Sequence, residues 1–383
     1  MDTLLAWLDA HADELLAVYK KLHAMPELGF KEFKTSAYLA EELRKAGYDV
    51  QDKIGGTGVV GTMTGKEPGL TLALRADMDA LPMEEKTGAP FASQHPGIMH
   101  ACGHDAHSAM ILFAAKAIAA NGSIKRGVLK ILFQPAEEIL EGARAIINSG
   151  MLNGVDEIVG VHVRGNKEAK LGEASPAIYH AACERMNVII HGVAAHAAWV
   201  HRGVNAIEAV AAIVNATNAI RMDPAVSYSI KMTRCFAGGQ ASNIIPDRAE
   251  VTFDMRSATN EVMDELKIKA KHAIETGAAS VGATAEIIDS YGVPAPSYDS
   301  ALIEAARVSI EAALGKGKAV PPQYPPGSED FHCFSVEAGI KSAYIGVGGD
   351  TGTGIHTATM SLDPGALLHG AKIFAHLAAS KQR

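Results

Sequence analysis

LTLALRADMDALP, Leu70 to Pro82, opens on an apolar run and closes on two aspartates. Leu70 to Leu74 has the composition of a strand buried on both faces, and Asp77 and Asp79 stand just beyond it. The pattern recurs downstream. GVLKILFQPAEE reads as a second buried strand stopped by Pro135 and followed by Glu137 and Glu138, and EIVGVHV as a third carrying His162 near its end. Between the first two, HSAMILFAAKAIAANG reads as an apolar helix closed by Asn121 and Gly122. Strands alternating with helices predict an α/β fold, a mostly parallel sheet with helices on both faces, in which ligands gather beyond the carboxyl ends of the strands. The polar residues sit at those ends each time.

Working outward, MDTLLAWLDAHADELLAVYKKLH has apolar residues at helical spacing and predicts an amphipathic surface helix. TSAYLAEELRKAGYDV predicts another, closed by Gly47. From about Ala182 the texture changes. RMNVIIHG, NAIEAVAAIVNATNAI, AVSYSIKMTRCFAGG, AEVTFDMRS, NEVMDELKIKAKHAIETGAASVG and ATAEIIDS read in turn as strand, helix, strand, strand, helix, strand. That βαββαβ order predicts a ferredoxin-like sheet covered by helices on one face. The first domain then resumes with the helix SALIEAARVSIEAALG, the strand KSAYIGVGG with its loop DTGTGIHTATM, and the closing helix GALLHGAKIFAHLAAS. The expected organisation is a first domain in two parts, 1–181 and 291–383, interrupted by an inserted domain over 182–290.

Composition narrows the class of protein. With 383 residues, 48% hydrophobic and 20% charged, the chain is long enough for two domains and too apolar for disorder. A net charge of -8 excludes the basic footprint that nucleic-acid binding needs. Acidic residues Asp2, Asp9, Asp13 and Glu14 break up the N-terminal segment, which therefore lacks the apolar core of a signal peptide, and no run approaches the roughly 20 apolar residues of a membrane span. Four scattered cysteines are not a disulfide framework. These features predict a cytoplasmic protein with reduced thiols.

MHACGHDAH, Met99 to His107, crowds metal-seeking side chains into nine residues. The CxH spacing of Cys102 and His104 is a weak signal alone, but Glu138 and His162 at strand ends and His356 in a Gly-rich loop offer further ligands. Singly, each has an ordinary reading as a buried thiol or a hydrogen-bonded side chain. Five such groups exceed the needs of one tetrahedral ion and suit two ions sharing bridges.

RADMDALP, MHACGHDAH, FQPAEE, the strand-end His162, HGVAAHAAWVHRGVN, GGQASNIIPD and GSEDF resemble, in order, the aminoacylase and carboxypeptidase family of dinuclear metallopeptidases and amidohydrolases. The resemblance begins at HAMPELGF and runs to the loop around His356, closest to the branch of N-acyl-amino-acid and hippurate hydrolases. It implies two divalent ions (Zn, Mn, Co or Ni) held by Cys102, His104, Glu138, His162 and His356. It further implies Glu137 as general base and Asp79 as the acceptor that orients a ligand imidazole. The inserted domain would be a lid that mediates a homodimer. Its His196 would stabilise the oxyanion, and Asn243 and Arg256 would hold the substrate. The substrate would be a small N-acyl amino acid or a short peptide, with no nucleic acid and no membrane as partner.

Three departures stand out. VHVRGN puts Arg164 where an aromatic is usual, which predicts added positive charge in the pocket and a preference for acidic substrates; GIHTATM lacks a customary Pro, and AAWVH replaces AAxPH. Against the amidohydrolase stand a metallocarboxypeptidase or dipeptidase within the same chemistry, a cysteine hydrolase built on Cys102 and His104, and a non-catalytic metal binder. The paired glutamates argue against the last two.

Overall fold

The computed structural model describes residues 1–382. The chain divides into two compact units, one formed by Met1–Tyr179, Ser297–Pro325 and the segment from Glu329, the other by His180–Pro296 with Pro326–Ser328. In chain order the first unit has helices α1 (Asp2–Ala10), α2 (Ala12–His23) and α3 (Phe33–Lys45) and strands β1 (Asp49–Ile54), β2 (Gly58–Thr64) and β3 (Glu67–Asp77). Next come α4 (His104–Ala120), β4 (Arg126–Gln134), α5 (Gly142–Asn148), β5 (Glu157–Arg164) and β6 (Ala174–Ser175). The second unit holds β7 (Ala182–His191), β8 (Ala195–His196), α6 (Ala206–Asn218), β9 (Tyr228–Ala237), β10 (Ile244–Ile245), β11 (Arg248–Ser257), α7 (Asn260–Ala279) and β12 (Thr284–Val293). The chain returns through α8 (Ser300–Leu314), α9 (His332–Val336), β13 (Lys341–Gly348) and α10 (Gly365–Lys381).

The sheet of the first unit runs β1-β2-β4-β3-β5-β13-β6. Its centre, β4-β3-β5-β13, is parallel, as the apolar runs require, and each of these strands is buried on both faces toward its carboxyl end. At the flanks β1, β2 and β6 pair antiparallel, so the sheet is mostly parallel, as expected. Helix α4 is apolar all round because it is enclosed on all sides, and Gly370 of α10 lets the helices close so tightly that a Cβ there would lie 2.2 Å from Met110 Sδ. The four central strands therefore deliver Asp77, Gln134, Arg164 and Gly348 to one edge of a rigid layer.

The N-terminal helix expected as one is two. At His11 the backbone leaves helical geometry (φ -114°, ψ 20°), and its ring Nδ1 donates to the carbonyl of Trp7 at 2.7 Å, closing α1 before α2 begins. At the far end of α2, His23 is buried between two carboxylates, with Nδ1 2.7 Å from Asp105 and Nε2 3.2 Å from Glu85. Burial opposes its charge, yet the bonds and charges of Asp105 and Glu85 raise its pKa to about 9. The stability this contributes is complete below the unfolded value of 6.5 and is lost as pH rises through about 9. Between those limits the wild type should lose about 3 kcal/mol more unfolding free energy than His23→Gln, measured by denaturant titration at both pH values.

The second unit is an antiparallel sheet of order β12-β7-β11-β9, the arrangement expected of a βαββαβ unit. Alternate residues of β11 are buried, and Met186, Val188, Ile213, Phe253, Leu266 and Ile274 form its core with α6 and α7. Asn205 and Thr259 cap those helices with their side chains. The unit is wider than 182–290, because β12 keeps pairing with β7 as far as Val293. Among the described residues no helix is long and apolar enough to cross a membrane.

Candidate metal centre

The loop after β3 places Asp79, which is fully buried, as a hinge for two neighbours. Its Oδ1 accepts from His104 Nδ1 at 3.1 Å, with the Asp79 carbonyl also 2.9 Å from that nitrogen, and its Oδ2 accepts from the Glu138 backbone N–H at 3.0 Å. Asp79 thereby fixes a proton on His104 Nδ1 and turns Nε2, the nitrogen that would ligate a cation, into the site. That Nε2 lies 3.8 Å from Glu138 Oε1, and both atoms are buried without a hydrogen-bond partner among the described residues. The other Glu138 oxygen, Oε2, is 3.6 Å from His356 Nε2. Cys102 Sγ is 3.5 Å from His162 Nε2, while His162 Nδ1 donates to the Val163 carbonyl at 2.6 Å.

Ligand atoms of Cys102, His104 and Glu138 lie within 4.8 Å of one another, and Glu138 presents one oxygen toward His104 and the other toward His356. His356 reaches this position with a left-handed backbone (φ 58°) and a 2.7 Å bond from its N–H to the Ala101 carbonyl, which ties its loop to the CxH loop. Contacts thus link the five side chains in series, His162 to Cys102, Cys102 to His104 and Glu138, and Glu138 to His356.

The electrostatics suit a cation. Burial, with Asp79 and Asp77 nearby, pushes Glu138 up to about 7 against the pull of His104. Burial and the Glu138 carboxylate likewise hold the Cys102 thiol well above its ordinary value. Burial disfavours a charged His104, but Asp77 and Cys102 still raise its pKa well above normal. A buried nitrogen and oxygen without partners, beside a thiol and two further imidazoles, form a donor set of mixed N, O and S character that fits divalent metal.

Glu137 is buried, with Oε2 3.8 Å from His104 Nε2. Burial, then Glu329, Glu138 and Asp330, raise its pKa well above the usual carboxylate range. Glu329 and Asp330, the acids of GSEDF, lie within 4.8 Å of Glu137 but are committed elsewhere. Arg75, wholly buried in β3, binds Gln134 (2.8 Å), Asp77 (2.6 Å), Glu329 (3.1 Å) and Asp330 (3.2 Å). Tyr344 donates to Glu329 at 2.6 Å, and Gln134 and the Ala143 N–H donate to Asp330. Sequence reasoning missed this hub. Its signal was a charged residue inside a buried strand, which is stable only when paired.

Asp77 and His107 also group with His104, but their polar atoms are taken: His107 Nδ1 donates to Asp77 at 2.6 Å, and His107 Nε2 accepts from the Val163 N–H at 2.9 Å. The pair braces α4 against β5.

The structure gives two arginines partners that the sequence did not show. Arg164 is buried and pairs with Glu168, its stem crossing Gly346, where a Cβ would lie 2.9 Å from Arg164 Cγ. Glu168 offsets the free positive charge that the sequence suggested. In the second unit Arg256, expected to grip a substrate carboxylate, already carries partners of its own. Its guanidinium holds Asp254 at 2.8 and 3.0 Å and Ser328 at 2.8 Å. His196, in that unit, is exposed; its Nδ1 accepts from the Ala198 N–H at 3.1 Å, so its proton sits on Nε2 as an unencumbered donor. The β8 and β10 pair sets it beside exposed Asn243, whose carbonyl accepts from the Ala197 N–H at 2.9 Å.

Fold and site together define an amide-bond hydrolase of the dinuclear metallopeptidase type. The chain belongs to the peptidase family M20/M25/M40, which it matches over residues 73–380. It is 34% identical over 340 residues to a protein named thermostable carboxypeptidase 1 of Saccharolobus solfataricus, covering 87% of this chain and 86% of that one. It is 33% identical to the N-acetyl-L-cysteine deacetylase of Bacillus subtilis, covering 88% and 81%. Among solved structures it is similar to the Bacillus subtilis YXEP protein, described as a dinuclear metal binding peptidase, with TM-score 0.83, 30% identity and coverage of 98% and 99%.

Proposed function

We propose that this protein releases an amino acid from a small N-acyl amino acid by hydrolysis of the amide bond. The observation that carries the reading is the pair of buried atoms without a hydrogen-bond partner, His104 Nε2 and Glu138 Oε1, beside the buried Glu137 carboxylate, 3.8 Å from that nitrogen. Cys102, His104, Glu138, His162 and His356 hold two divalent ions, which when bound supply Lewis acidity toward the carbonyl oxygen and lower the pKa of water. Glu137 takes the proton of the attacking water and delivers it to the leaving nitrogen, since its carboxylate faces the same space. Asp79 keeps His104 in the tautomer that presents Nε2 and holds the Glu138 backbone in place.

His196, with its Nε2–H free, donates to the carbonyl oxygen as negative charge grows there, and Asn243 contacts the substrate. Both come from a neighbouring copy of the chain, which makes the active form a homodimer through the second unit. Supporting this, that unit has a long edge strand, β9, with Phe236 58% exposed, and Trp199 and Val200 exposed near His196. Four unpaired cysteines support residence in the reducing cytoplasm. Zn, Mn, Co and Ni all suit the donor set.

The likeness to a carboxypeptidase supports a second reading, cleavage of short peptides by the same residues. A panel of N-acetyl amino acids and dipeptides, assayed after chelation and after reloading with each metal, separates the two. Chelation should abolish turnover and reloading restore it, with N-acetyl substrates preferred; turnover that survives chelation overturns the metal reading. Asp79→Ala, which releases both His104 and Glu138, should weaken metal binding about 10–100-fold in competition with a chelating dye.

A further inference from the structure

HAMPELGFKEF, the segment between α2 and α3, is the motif to which no chemistry has yet been assigned. It lies against the site from two sides. Leu28 bridges Ala80, and the Ala80 N–H donates to the Glu27 carbonyl at 2.8 Å, which pins the chain next to Asp79. Gly29 lies so close to the following layer that a Cβ on it would sit 3.1 Å from Ala136 Cα and 3.5 Å from Asp79 Oδ2. Glu32, wholly buried, stands at the start of α3, where a side chain ordinarily caps its own helix, but makes no such bond. Its Oε1 instead accepts from the Ala136 N–H at 2.9 Å, and its Oε2 accepts from the Thr57 hydroxyl.

Ala136 immediately precedes Glu137 and Glu138. It is buried and left-handed, with φ 54°, a conformation that costs any residue with a Cβ and persists only where its surroundings hold it. The turn it begins closes with the Gly142 N–H on the Ala136 carbonyl at 3.1 Å and the Leu140 N–H on the Glu137 carbonyl at 2.7 Å. A turn with ordinary backbone at 136 would direct the two glutamates elsewhere.

We propose that Glu32 is a positioning residue for this reaction: its carboxylate, anchored by Thr57, holds the Ala136 amide and keeps the strained turn that aims Glu137 and Glu138 at the centre. The inference rests on the roles proposed above for those two glutamates, but the hold on Ala136 is testable without them. Amide exchange at Ala136 in the metal-free protein reads the hold directly, and in Glu32→Ala it should quicken about 10-fold or more while amides of α4 do not change. In the metal-loaded enzyme Glu32→Ala should lower kcat about 10–100-fold with KM within about threefold, because the reacting groups and not the binding surface are displaced. Glu32→Gln keeps an acceptor for the amide and should stay within about threefold of wild type.

Glycine adopts the left-handed region without strain, so adding Ala136→Gly to Glu32→Ala should recover about five- to tenfold of the lost kcat, which a merely structural role for Glu32 would not produce. Thr57→Val frees one carboxylate oxygen yet keeps the charge, and should give a smaller loss of about threefold with quicker Ala136 exchange; it serves where Glu32→Ala does not fold. Unchanged exchange at Ala136, wild-type kcat in Glu32→Ala, or the absence of rescue by Ala136→Gly overturns the proposal. Quicker exchange together with full activity of Glu137→Gln would leave the hold intact and remove the assignment of the base instead.

Discussion

Glu137→Gln is expected to lower kcat by about 10²–10⁴-fold on N-acyl amino acids while leaving metal content and KM close to wild type. The substitution keeps volume and hydrogen-bonding reach and removes only the capacity to take a proton. Metal content should hold because the five ligand candidates are other residues. Among the described residues no neighbouring carboxylate is placed to substitute. Glu329 and Asp330 lie within reach of Glu137, but Arg75, Tyr344 and Gln134 occupy their oxygens, and Asp79 is spent on His104 and Glu138. Glu138 faces His104 and His356. Steady-state kinetics with metal analysis of the same preparation checks the claim, and activity within tenfold of wild type would show that the proton goes elsewhere.

Much of this arrangement was legible in the sequence because it rests on local pattern. A strand buried on both faces must be apolar along its length, so polar residues collect at its ends, and Asp79, Glu138 and His162 announced themselves by standing there. The alternation of β11 and the spacing of α6 and α7 likewise follow from one buried face. What sequence did not show is which partner a charged residue takes. Arg164 and Arg256 read as pocket charges, yet each finds a carboxylate a few residues away, Glu168 and Asp254. Glu32 and Ala136 are 104 positions apart, and nothing in either stretch reveals the bond between them. A mostly parallel sheet was legible, but not which flanking strands run antiparallel: β1 and β2 form a hairpin whose pairing with β4 depends on which edge is open.

Arg75→Met should be the most damaging substitution to the fold, lowering unfolding free energy by about 3–5 kcal/mol, the cost of leaving buried carboxylates without their cation. Arg75 is fully enclosed, and its guanidinium pairs at once with the carboxylates of Asp77, Glu329 and Asp330. Methionine matches the stem but not the charge. Lysine keeps the charge but not the planar fork that reaches Gln134, Asp77, Glu329 and Asp330 together, so Arg75→Lys should also lose stability, by less. The loss comes from uncompensated acid rather than missing volume, and a second substitution separates the two: Glu329→Gln in the Arg75→Met background should restore part of the lost stability, whereas a packing defect would add to it. Activity should fall further than stability alone explains, because the acids Arg75 restrains sit beside Glu137, and freeing them alters the charge around the base. Denaturant midpoints for the single and double variants, read with kcat at a temperature where each remains folded, test both halves. An Arg75→Met protein with the wild-type midpoint would mean that these carboxylates are held neutral, and that the hub orders side chains without balancing charge.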